Sequence, residues 1–488
     1  MPLRVRMAQF AVATLLAIPL FHMPAHADGL IPVGGRKQLF IDRRFVAAGE
    51  GIELVANPAD KLGLVTDEQG APLTGFISRI AGDGNRVRMH LGHDSISVLE
   101  SDDDFRFRNT GTSYNVGGFT TLLDDPHDPP RRFKLFGLRL SQPFNPETDG
   151  VYAKFSADGV KFTDAGRVFP YFTDNPTLVN WDERIGKYVI YTRAFDYNSE
   201  NQRRVARIET DDPLQPWPFS ASDNQRLFPS IENIPVVLSA DEEQDPHSDI
   251  YYNAMTMYPE AQDVYLMFLA PFRHYSPDRQ PFVRPRIPGQ WEDFGSLEIQ
   301  LAVSRDGIEW QRPTREPYFS TGLADEWDRW YAVMAPGFAR RGNYLYQYYN
   351  SSGRLHDSAF LRPEYEQSAP QMGGIGVVRQ RRDGFVSLDA DHHGGWFDTP
   401  LLTFTGSKLR LNINTGGMGT AFVEIRDAEG RPIPGFTLAD CEEIGGNFID
   451  QAVHWRGSPD VSALAGQPVR LHVRLKRAKL FAFQFTSE

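Results

Sequence analysis

The phrase "SRDGIEW" at residues 304–310 returns as "SADGVKF" at 156–162 and, more loosely, as "RRDGFVSL" at 381–388. Asp-Gly between alternating apolar residues is the strongest short hairpin signal, because glycine accepts positive φ and primed turns match the twist of paired strands. Each copy closes a unit of the same texture. An apolar or aromatic run meets a polar turn, a second run rich in Tyr, Phe, Val and Leu follows, and a third ends at an Asp-containing turn. Five such units follow one another, and helical periodicity is almost absent. The reading is an all-β chain with five blades packed radially between about Gly34 and Leu388. In it, Asp158, Asp306 and Asp383 form turns rather than catalyse. The extended "KQLFIDRRFV" at 37–46 supplies the missing outer strand of the last blade and closes the ring, which removes an exposed sheet edge.

After Asp391 the texture changes to alternating strands broken by Gly/Pro turns, the signature of a β-sandwich over 392–488. At 488 residues two domains are expected. His392 and His393 in the joint "DADHHGGWFDTP" read as a polar linker turn with no third ligand near them, so no metal and no cofactor is expected. A net charge of −12 without a Lys/Arg-rich run argues against a nucleic-acid partner. Arg4 and Arg6, a short apolar run and Ala25-His26-Ala27 have the layout of a secretory signal over 1–27. Pro19, His22 and Pro24 interrupt that run, so no membrane span is expected after cleavage and the protein is expected to be exported, to periplasm or medium. With Cys441 as the single cysteine, core packing and not internal disulfides must hold the exported chain together.

The "SxDGxxW" turns, the "LFID" opening at 39–42 and the trailing sandwich resemble the five-bladed β-propeller glycoside hydrolases of the invertase/levanase and arabinanase/β-xylosidase superfamily. The resemblance covers most of the chain after residue 27. It implies a carbohydrate substrate with furanosidic or related linkages, cleaved by inward-facing carboxylates near the starts of the innermost strands. Such chemistry needs one carboxyl protonated to donate to the leaving oxygen and one ionised to attack or to activate water. The family's W-x-N-D-P-N-G, R-D-P and Glu-Cys signatures are absent, so candidate roles rest on position. A noncatalytic carbohydrate-binding propeller is the alternative.

Asp174 in "TDNPT" and Asp249 in "SDIYYN" open the inner strands of the third and fourth units. Asp42 stands in the acidic opening, and Glu326 lies in "EWDRWY" before the fifth unit. These four are the catalytic candidates, each with a solvated or salt-bridged acid as its plain alternative. Sugar faces also need flat apolar surfaces and planar donors, for which Trp327, Trp330, Tyr331 and Arg193 are the candidates. Aromatics between packed sheets are the alternative there. Asp125, in a Pro-rich hairpin, reads as structural.

Overall fold

The computed structural model describes residues 29–487 apart from 84–85, 200–202, 222–225, 241–247, 262, 275–294, 324 and 357–372. The segment read as a secretory signal therefore lies outside the described residues. Among the described residues the chain is all-β, with short 3₁₀ turns and no α-helix.

Between residues 57 and 385 the strands form five consecutive antiparallel sheets. The first runs Ile77–Asp83, Arg86–Leu91, Ser95–Ser101 and Arg106–Asn115, with Thr66–Asp67 added in parallel outside. The second runs Gly118–Asp124, Phe133–Arg139, Gly150–Ser156 and Thr163–Phe169. The third runs Leu178–Asp182, Lys187–Phe195, Arg203–Thr210 and Val236–Leu238. In the fourth, Ser248–Met257 pairs with Tyr265–His274, which also carries Gly295–Leu297 and Gln300–Ser304. In the fifth, Tyr331–Met334 and Ala339–Arg341 share Tyr344–Ser352, followed by Gly374–Arg381. Leading strands touch in order: the first sheet's meets the second's, and so on to the fourth's with the fifth's. The fifth sheet then returns to Ile77–Asp83. Phe76, just before Ile77–Asp83, lies 5.8 Å from Phe119 and 6.4 Å from Tyr252, ring centre to ring centre.

The outer place in the fifth sheet is taken by Asp60–Leu64, which pairs with Gly374–Arg381, and not by the expected 37–46 segment. That segment goes elsewhere: Gln38–Leu39 pairs with Ala478–Thr486. The reason is apolar burial. Phe40 and Phe45 pack edge-on against Phe397 and Phe483 in the C-terminal core, whereas "DKLGL" is a short strand carrying two charges and little sequence signal.

That C-terminal core lies among two main sheets. One orders Asn447–Ala452, Lys408–Asn414, Ala478–Thr486, Val386–Ala390 and Glu53–Ala56; the other orders Ala48–Glu50, Gly395–Asp398, Arg470–Lys476 and Thr420–Arg426. Residues 31–56 thus belong with the C-terminal sheets, so a simple division at 34–388 and 392–488 does not describe the strand pairing. The chain passes between the two sets of sheets twice, near residues 57 and 385.

The repeated phrase behaves as expected in two of its copies. Asp306 Oδ1 accepts the N–H groups of Ile308 and Glu309, both at 2.8 Å, and Gly307 adopts φ +74°. Asp158 makes the same contacts to Val160 and Lys161, which hold its carboxyl down to about 2. Asp306→Ala is expected to lower stability by about 1 kcal/mol, read as a shift in urea midpoint, because two turn N–H groups lose their acceptor to water. Asp383 also sits in a turn, at φ +62°, but its buried carboxylate is a clamp: it accepts Lys37 Nζ at 2.9 Å, the Tyr258 hydroxyl at 2.7 Å and Asn412 Nδ2 at 3.0 Å. Asp125 is structural, bound by buried Lys134 and the Tyr188 hydroxyl, both at 2.6 Å.

Candidate functional site

Asp174 lies in the turn leading into Leu178–Asp182 and adopts φ +49°, a conformation that non-glycine residues rarely hold without local compensation. The compensation is visible. Thr173 Oγ1 donates to the Asn175 carbonyl at 2.9 Å, and Asn175 Nδ2 donates to the carbonyl of Tyr251 at 2.9 Å. Arg193, on the neighbouring strand and almost wholly buried, donates Nη1 to Asp174 Oδ2 at 2.7 Å and Nη2 to the same Tyr251 carbonyl. Its guanidinium also sits 5.1 Å from the centre of the Tyr251 ring. The Asp174 side chain remains 38% exposed, so a buried cation grips a carboxylate that solvent can reach.

Asp249 opens the adjacent sheet and is fully buried. Its Oδ2 accepts the backbone N–H of Arg203 at 3.2 Å and Nη1 of Arg203 at 3.3 Å, while His274 Nε2 stands 3.2 Å from Oδ1. Burial opposes ionisation, but the charges of Arg203 and His274 outweigh it and hold the carboxyl well below the usual carboxylate range. Arg203 lies 5.5 Å from the Tyr251 ring centre, so both arginines flank one tyrosine. Asp174 and Asp249 therefore meet around Tyr251 but in different states. One is accessible; the other is a sealed anion that orients Arg203 and His274.

Tyr331 joins this cluster through His356. Their rings stack 6.1 Å apart, and His356 Nε2 is 3.0 Å from the Tyr251 hydroxyl. Tyr251, Arg203, His274 and His356 are not among the candidates read from the sequence: Tyr251 lies two residues after Asp249, but Arg203, His274 and His356 come from other strands and loops and meet it only once the sheets have packed. Asp196 is a further acid at this end of the third sheet. It follows Lys187–Phe195, and its Oδ2 lies 3.4 Å from Arg204 Nη2.

The other candidates lie elsewhere. Asp42 accepts Arg305 Nε and Nη2, both at 3.0 Å, in a network that also holds Arg44 and Asp263. Asp263 belongs to the turn between Ser248–Met257 and Tyr265–His274, at the far end of the strand from Asp249. Eight residues of strand, roughly 26 Å, separate Asp249 from Met257. Asp42 is carried there because Phe40 is buried in the C-terminal core. Asp42→Asn should leave any turnover within about twofold of native while lowering the urea-unfolding free energy by about 1–3 kcal/mol, the scale of a charged hydrogen-bonded pair.

Glu326 faces the fifth sheet. Its Oε2 accepts the Leu323 N–H at 2.7 Å and lies 3.9 Å from Lys61 on the outer strand. Next to it, buried Asp328 takes Lys61 at 3.0 Å and the Tyr349 hydroxyl at 2.9 Å. Trp327 stacks on Tyr349 with centres 5.8 Å apart and packs between sheets, the structural alternative for that residue. The Trp330 carbonyl accepts the Leu297 N–H at 3.0 Å, and Arg329 lies 5.9 Å from the Trp330 ring centre. A third donor beside His392 and His393, not expected from the sequence, is Asp391: the three each bring one donor atom within 4.8 Å of the others in an exposed turn. That turn adjoins strand Gly395–Asp398 of the C-terminal sheets, and Asp391 Oδ1 there accepts the His393 N–H at 2.8 Å.

No protein-family model and no curated protein matches this chain. Among solved structures it is similar to a glycoside hydrolase at 14% identity over 67% of this chain and 93% of that one, with a TM-score of 0.42. A second likeness, at 9% identity over 86% of this chain and 96% of the other and a TM-score of 0.33, is to a glycoside hydrolase family 43 arabinoxylan arabinofuranohydrolase from Bacillus subtilis in complex with cellotetraose. A third is to an endo-1,4-beta-xylanase from Bacteroides thetaiotaomicron, at 10% identity over 66% of this chain and 97% of the other, with a TM-score of 0.37.

Proposed function

We propose that this protein is an exported glycoside hydrolase acting on a poly- or oligosaccharide, in which a five-bladed β-propeller carries the active site and a β-sandwich is docked beside it. The cyclic order in which the five sheets touch supports the propeller reading. The observation that carries the functional reading is Asp174: an exposed carboxylate, in a left-handed turn, held at 2.7 Å by a buried arginine and set beside a second acid from the next sheet.

In this reading Asp174 is the ionised partner, the base or nucleophile. Asp249 holds the charge balance of the arginines and does not deliver a proton, because its carboxyl is both sealed and strongly acidic. The proton donor then falls to another group at the same end. Asp196 is a carboxyl so placed among the described residues, and the His356–Tyr251 pair is another polar unit there. Arg193 and Tyr331 would supply a planar donor and an aromatic edge to the sugar.

The sealing of Asp249 also favours a second reading, a carbohydrate-binding propeller that keeps the cluster and lacks a paired acid. A screen of the purified protein against furanosides and bacterial or plant polysaccharides, with Asp174→Asn and Asp196→Asn alongside, separates the two. Release of reducing ends that both variants abolish supports hydrolysis. Saturable binding without any turnover supports the second reading.

A further inference from the structure

Positive side chains from three parts of the chain converge at the junction of the two sets of sheets. Lys37 comes from the N-terminal segment, Arg382 from the turn after Gly374–Arg381 and Arg410 from Lys408–Asn414. With Asp450, Gln484 and Ser487 they line a cleft of about 560 Å³. That volume lies within the range of small-ligand sites. The wall offers no aromatic face, since Phe485 is buried, so a ligand there would be held by charge and hydrogen bonds.

Two of the three cations have close acidic partners. Lys37 Nζ donates to Asp383 at 2.9 Å, and Arg410 Nε donates to Asp450 at 2.6 Å. Arg382 differs. Its side chain is only 15% exposed, its nearest acid is Glu260 Oε2 at 3.4 Å from Nε, and Nε makes no hydrogen bond. Glu260 is already shared, with Lys37 at 3.8 Å and Arg340 at 3.0 Å. Adjacent Arg381 spends its donors on neutral acceptors, the side chains of Asn412 and Asn447 and the carbonyl of Phe448. Among the described residues five cations, Lys37, Arg340, Arg381, Arg382 and Arg410, stand against the three carboxylates Glu260, Asp383 and Asp450. A guanidinium withdrawn from water whose Nε–H has no acceptor is unfavourable, and its terminal fork matches a carboxylate in two parallel bonds.

We propose that this cleft is a second ligand site, separate from the Asp174 cluster, which takes a carboxylate-bearing sugar of an acidic glycan: the carboxylate on Arg382, flanked by Lys37 and Arg410, and the hydroxyls towards Gln484 and Ser487. The sugar part rests on the carbohydrate reading above; the anion part rests on the geometry alone.

The test is calorimetric titration of the full-length protein with tetragalacturonate, with uncharged cellotetraose and with inorganic phosphate. Each is repeated on Arg382→Gln, Arg410→Gln and Asp174→Asn, with melting temperatures checked for each variant. The expected result is saturable binding of tetragalacturonate that weakens by about tenfold or more in Arg382→Gln and in Arg410→Gln, weakens with added salt and is unchanged in Asp174→Asn. The Arg410 side chain is the more exposed of the two, 25% against 15%, so its variant reports even if Arg382→Gln perturbs folding. Tetragalacturonate bound no more tightly than phosphate or cellotetraose, or bound equally by the native protein and both arginine variants, overturns the proposal. Because binding is read in Asp174→Asn, a failure of the hydrolase reading leaves this result standing.

Discussion

Asp249→Ala is expected to destabilise the protein by about 3–5 kcal/mol, the scale on which a buried ion pair is broken from one side. The carboxylate is fully buried between Arg203 and His274, and Arg203 is itself 2% exposed. Removing the anion takes away the carboxylate that Arg203 Nη1 meets at 3.3 Å, from a guanidinium buried beside Tyr251 and Phe272. Asp249→Asn keeps the shape and part of the hydrogen bonding, so its loss should be smaller. Urea unfolding followed by tryptophan fluorescence measures both, and a change below about 1 kcal/mol for the alanine variant would mean that this triad does not hold the fourth sheet to the third. The pH dependence has a definite sign. The folded carboxyl is held below its unfolded value of about 3.9, so its contribution is fully present above about pH 4 and is shed as the pH falls further. The native protein should lose stability in that acid range, and Asp249→Asn should lose less.

Asp174→Asn is expected to lower kcat by about 10²–10⁴, the usual weight of a positioned acid or base, with KM changed far less. Stability should move little, because the side chain is 38% exposed and the amide can still accept from Arg193. This separation of effects distinguishes the two acids: one variant folds and fails to turn over, the other fails to fold well. Arg193→Lys adds a check. A lysine keeps the charge but cannot span both Asp174 and the Tyr251 carbonyl, so turnover should fall with it. Equal turnover by the native protein and Asp174→Asn would remove Asp174 from the chemistry.

What could be read in advance depended on how local its cause was. The Asp-Gly turns at 158 and 306 were legible because two or three residues contain the whole explanation: an acceptor, two N–H groups and a glycine at positive φ. Asp174 was legible as a residue that opens a strand, and Arg193 as a planar donor for a sugar. That the two would touch, or that the Tyr251 carbonyl would tie them, was not. Asp42 shows the opposite case. Its acidic opening looked functional, but burial of Phe40 decides where it goes, and the partner aromatics Phe397 and Phe483 are more than 350 residues away in the chain.

By itself the sequence determined the strand period, the turns and the change of texture after Asp391, because side-chain alternation and turn chemistry act over a few residues. The tertiary structure decided which strand completes the fifth sheet, which acid is open and which is sealed, and which cations share the junction cleft. Those outcomes follow from burial and from charge pairing between segments far apart in the chain, and desolvation sets their strength only once the sheets have packed.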